Sequence, residues 1–60
     1  METTVSNAMC ERVVKRDARI AAHKGSWYVQ LEGRTFTGGT RSEAVATAAA
    51  DLQRRLEGST

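Results

Sequence analysis

Seven residues near the middle of the chain, SWYVQLE at 26–32, alternate without interruption, with Trp27, Val29 and Leu31 on one side and Tyr28, Gln30 and Glu32 on the other. A period of two belongs to a strand with one face buried. The chain must therefore build a sheet and supply something to cover its apolar side. RTFT at 34–37 follows directly after Gly33, and the EGR junction reads as a tight hairpin in which glycine supplies positive φ, so Phe36 lies beside Trp27, Val29 and Leu31. Upstream, ARIAAH at 18–23 alternates in the same sense, with Ala18, Ile20 and Ala22 inward and Arg19, Ala21 and His23 outward; HKGS is the turn that joins it to the next strand. Three antiparallel strands in a meander are expected.

The cover for this sheet is written immediately after it. In GGTRSEA two glycines end the strand, and Thr40 with Glu43 gives the T-x-x-E pattern of a capping box. From there to Glu57 no residue breaks a helix, and Val45, Ala48, Ala49, Leu52 and Leu56 recur at spacings of three and four. Asp51 and Arg55 form a favourable i,i+4 pair, and Gly58 stands where a helix stops. So many alanines on the inward stripe let the helix approach the sheet closely, and the large rings Trp27 and Phe36 are expected to fill the space between the layers. The predicted fold class is α+β: a three-stranded antiparallel meander packed against one long C-terminal helix, preceded by a short N-terminal helix or arm. That leading stretch, TTVSNAMCERVVKR, fits a helix capped at Ser6 with Met9, Cys10, Val13 and Val14 on one side, or a lead followed by a strand through Val13 and Val14. A helix or irregular arm is preferred, which divides the chain into an arm at 1–12 and a sheet-plus-helix domain at 13–60.

Sixty residues allow a single domain, and a chain of that size buries only about 60% of the surface its unfolded form exposes. One cysteine, Cys10, forms no internal disulfide, and no apolar run approaches the roughly 20 residues that span a bilayer. With no secretory leader legible, a cytoplasmic protein is expected, without membrane attachment. A small core without staples gains from association, so a homodimer or a larger partner is expected.

The net charge of +2 is concentrated in one segment: residues 12–24 carry Arg12, Lys15, Arg16, Arg19 and Lys24 against Asp17 alone, whereas residues 25–60 balance four bases with four acids. Groups for catalysis are sparse. His23 and Cys10 are the single representatives of their types and lie in different segments; His23 reads as an exposed strand-end residue and Cys10 as a small apolar one. No metal-ligand spacing and no phosphate-binding or dinucleotide fingerprint is present, so no enzyme activity, metal or cofactor is expected. The glycine pair before the helix, with Arg41 nearby, reads as a turn plus a cap.

What remains is the outward face of the sheet. Arg19, His23, Tyr28, Gln30, Thr35 and Thr37 share it, with Lys24 at the rim, and Glu32 is expected on the same surface. Arginine and lysine there reach phosphates, and Gln, Tyr and Thr reach base edges. The stretch GSWYVQLEGRTFTGGTRSEAVATAAADL resembles the three-stranded-sheet-plus-helix modules of AP2-type DNA-binding domains and of the arm-binding domains of phage integrases. It is similar also to small bacterial domains with GW-V followed by EA---A, and in part to HicB-type antitoxins. In the DNA-binding families the sheet enters the major groove, and by position the resemblance implies Arg19, Tyr28, Gln30 and Arg34 or Thr35 as base contacts. The expected function is a small bacterial or phage nucleic-acid-binding regulator or accessory factor, with Arg12, Lys15, Arg16, Arg19, His23, Lys24, Tyr28, Gln30 and Arg34 as its contact set. The alternative is a protein-interaction module, an antitoxin-like protein or a phage-type inhibitor that occupies a host protein or nucleoprotein surface. The two part on one feature: bases gathered with Tyr28 and Gln30 on one surface favour nucleic acid, and bases scattered or paired with Glu11, Asp17 and Glu32 favour a protein partner.

Overall fold

Two pairs of residues with positive φ set the sheet's geometry. A computed structural model describes residues 6–58. Lys24 and Gly25 (φ 51° and 79°) and Glu32 and Gly33 (φ 52° and 79°) each form a two-residue turn, the type I′ geometry whose twist matches that of the flanking strands. The strands they join are β1 (Arg19–His23), β2 (Ser26–Leu31) and β3 (Arg34–Gly38). They lie in the order β1-β2-β3, antiparallel throughout. The meander is as expected, with one correction: Glu32 is drawn out of the strand into the second turn, because a type I′ turn needs two residues at positive φ and Gly33 supplies only one.

The register places Ile20, Val29 and Phe36 in one row across the sheet and Ala22, Trp27 and Gly38 in the next on the same face. Helix α2 (Arg41–Glu57) covers this face, packing on β3 and β2. Thr40 caps it: the Oγ1 atom accepts a hydrogen bond from the Glu43 N–H at 3.1 Å, satisfying one of the orphan donors of the first turn. The helix ends with the Gly58 N–H donating to the Arg54 carbonyl at 2.9 Å. Where β3 meets α2 the backbones nearly touch, since a Cβ on Gly38 would lie 2.6 Å from the Ala44 nitrogen.

The first element is a helix. α1 (Asn7–Asp17) starts at Ser6, whose Oγ accepts from the Met9 N–H at 3.1 Å, and it carries Lys15 and Arg16 in its last turn, where positive charge complements the helix dipole. It runs through residue 12 without a break, and Cys10 within it joins the core; the portion of the expected arm before Ser6 lies outside the described residues. Asn7 reaches Gln53 on α2 (3.4 Å), while Glu11 and Lys15 line a cavity with Arg41 and Ser42, so the two helices lie side by side in opposite directions. Cys10 and Val14, one turn apart, are fully buried between α1, α2 and the sheet. Met9, expected with them, is 59% exposed, because it lies about 100° around the helix from Cys10.

Among the described residues nine hydrophobic side chains are buried: Cys10, Val14, Val29, Leu31, Ala44, Val45, Ala48, Ala49 and Leu52. The alanines of α2 are buried in the core as expected, but the rings do not fill its centre and only pack against it. Trp27 and Phe36 are half-buried at the margin, and small residues fill the centre. Leu56, expected in the inward stripe, is 46% exposed, since it lies one turn beyond Leu52, near the end of α2.

Candidate interaction surface

Both helices pack on one side of the sheet, so the other side is open. Antiparallel register assembles that face from Arg19, Gln30 and Thr35 in one row, Ala21, Tyr28 and Thr37 in the next, and His23 with Ser26 beside the first turn. Tyr28 and Ser26 are half-buried among these neighbours and the others are exposed. The rings of Tyr28 and His23 meet at 6.3 Å between centroids, tilted by 55°. At the far end the face descends into a cavity of about 380 Å³ bounded by Arg19, Gln30, Thr35, Asp17 and Glu32. Its lining thus holds one cation, Arg19, and two carboxylates. Lys24 is exposed in the turn at the opposite rim.

The rest of the basic segment is elsewhere. Arg12, Lys15 and Arg16 are exposed on α1, which packs on α2, so these three bases are carried on a different element from the strands of the open face. Arg16 is moreover held by its neighbour, its Nε and second guanidinium nitrogen donating to the two Asp17 oxygens at 2.8 and 2.9 Å. The hydrogen bonds from Arg16 lower the Asp17 carboxyl below its usual range, and those to Asp17 raise the guanidinium.

Arg34 is a correction. Its register partner is Leu31, which fixes it on the covered face, and its guanidinium lies 3.7 Å from Asp51 of α2. Asp51 also takes Arg55 at 3.3 Å and Arg54 at 3.9 Å. Glu32 is a second correction. The turn takes it out of the strand to the end of the sheet, where it lines the cavity beside Arg19 and its carboxylate also accepts from Arg55 at 3.2 Å. A chain of charges thus ties the β2–β3 turn to α2: Glu32, Arg55, Asp51, Arg34. Only its Asp51–Arg55 link follows from spacing along the helix. The others depend on which residues the turn and the register bring beneath α2.

Cys10, 1% exposed, lies in the core, where burial and then the nearby Glu57 charge push its thiol up. That environment disfavours the thiolate a nucleophile requires. Among the described residues no group of three or more His, Cys, Asp or Glu is placed to hold a metal ion, and no helix is long and apolar enough to cross a membrane. Of the nine expected contact residues, the sheet brings Arg19, His23, Tyr28 and Gln30 together, leaves Lys24 at the rim, and separates Arg12, Lys15, Arg16 and Arg34 from them. No protein-family model, curated protein or solved structure matches the chain.

Proposed function

We propose that the protein is a non-enzymatic interaction module that docks the open face of its sheet on the surface of another protein. The observation that supports this reading is the dispersal of the basic segment. One arginine, Arg19, remains on the face; Lys24 is at its rim, three bases lie on α1, and Arg34 is committed to Asp51. Nucleic-acid affinity rests on several simultaneous phosphate contacts, and this face offers two cations at opposite ends. Its centre is instead neutral and hydrogen-bonding: Tyr28 ringed by Gln30, Thr35, Thr37 and Ala21. A tyrosine among short polar side chains suits a protein interface, since the ring adds contact area at little entropic cost and the neutral groups are cheaply desolvated. Occupying a partner's surface, as an inhibitor or an antitoxin-like protein does, requires no reacting group.

The test sets the two surfaces against each other. Tagged protein should retain a specific partner that is lost on Tyr28→Ala/Gln30→Ala and kept on Arg12→Ala/Lys15→Ala/Arg16→Ala. Binding to mixed duplex and single-stranded nucleic acid should be absent at low salt. Submillimolar binding that falls steeply with salt and weakens in the triple variant would overturn the reading in favour of nucleic acid.

A further inference from the structure

Strand β1 is an edge of the sheet, and among the described residues no strand pairs with its outer side. Because Lys24 and Gly25 form a two-residue turn, the flanking residues His23 and Ser26 exchange both hydrogen bonds, and the pattern then alternates along the strand. Arg19, Ala21 and His23 direct their backbone groups at β2, and Ile20 and Ala22 direct theirs outward. Among the described residues the backbone hydrogen bonds outside regular elements all lie at helix ends, at Cys10, Ala18, Ala44 and Gly58, so no described backbone group caps these outward groups. The devices that usually blunt an edge are also missing from its centre: Ala21 and Ala22 are exposed, with no proline, bulge or long charged side chain between Arg19 and His23.

We propose that β1 pairs with β1 of a second copy, antiparallel about Ala21, to give a continuous six-stranded sheet. This register is self-complementary. Ile20 stands opposite Ala22 of the second copy, and these are the residues whose N–H and C=O groups point outward, so each of the two equivalent pairs exchanges two hydrogen bonds. On the helix-bearing face the half-buried Ile20 covers the exposed Ala22 of the other copy. On the open face Ala21 meets Ala21, small enough for close approach, and Arg19 stands across from His23. The other edge is less suited: β3 carries Arg34, held beside Asp51, and the bulky half-buried Phe36 where β1 carries small exposed alanines. A chain of 60 residues, short of core, gains from the added sheet.

The experiment is sedimentation across a concentration series, with a charge exchange at the symmetry point. Wild-type protein is expected to dimerise; Ala21→Lys and Ala21→Glu, each folded by circular dichroism because Ala21 is exposed in the single copy, should remain monomeric. Their equimolar mixture should dimerise again. In the wild type, amide exchange at Ile20 and Ala22 should slow with concentration while that at Ala21 does not change. A wild type still monomeric at about 1 mM, the weak limit of useful affinity, overturns the proposal. So does a dimer that Ala21→Lys and Ala21→Glu both leave intact, or a mixture that stays monomeric. None of these outcomes depends on the partner-binding reading.

Discussion

Gly38 is the position where one added methyl group does most harm. Its Cβ would meet the Ala44 nitrogen at 2.6 Å and the Glu43 Cβ at 2.9 Å, and the first of these is helix backbone, which cannot swing aside. Gly38→Ala is expected to destabilise the protein by about 1–3 kcal/mol through forced displacement of α2, measured as a lower urea midpoint with an unchanged slope. Asp17 gives a prediction in pH. Its carboxyl is lowered in the folded state by hydrogen bonds from Arg16, so its contribution is present above the ordinary aspartate range near pH 4 and is lost as pH falls through the lowered value. Wild type and Asp17→Asn should therefore differ by a small constant amount from neutral pH down to about pH 4 and converge below it; a urea series over pH checks this. The pair is exposed, which keeps the effect small.

At the scale of elements, what could be read from the sequence follows from how local each signal is. Alternation in SWYVQLE, the cap at Thr40 and the three-four stripe of α2 are decided by neighbours within a turn or two; the cap stands in the structure, the alternation holds through Leu31 and the stripe through Leu52. The Ser6 cap is as local, but Val13 and Val14 suit a strand equally well; packing on α2 decides for the helix. Glu32 was not legible in this way, since whether it ends the strand or enters the turn depends on a single residue of turn length. Arg34 takes the face that parity with Phe36 gives it, and what was not legible is its approach to Asp51. The same turns yield a prediction. Lys24 holds φ 51°, a left-handed conformation that costs a β-carbon-bearing residue about 1–2 kcal/mol and that asparagine tolerates. Lys24→Asn should stabilise the first hairpin by about 0.5–1 kcal/mol, a gain of about 2–8 °C in melting temperature. An unchanged or lower melting temperature would show that Lys24 contributes more than its backbone geometry indicates.

Taken whole, the molecule is one-sided: two helices and all nine buried side chains lie on one face of the sheet, and the opposite face carries the polar groups proposed to meet a partner. The candidate site was legible to the extent that strand parity decides it, as for Arg19, Tyr28 and Gln30. It was not legible where charge along the chain had to be converted into charge on a surface, because Arg12, Lys15 and Arg16 are carried on α1 and not on the strands of the sheet. The burial of Cys10 between α1, α2 and the sheet has a kinetic consequence. With one thiol in the chain and that thiol 1% exposed, a thiol reagent can reach it only when α1 lifts from α2 or the whole domain opens. Labelling is expected to reach a rate independent of reagent concentration, the opening rate itself, and to accelerate severalfold in Gly38→Ala if that substitution loosens α2. The protein thus carries a built-in clock for the separation of its two helices, readable without a probe added anywhere on its surface.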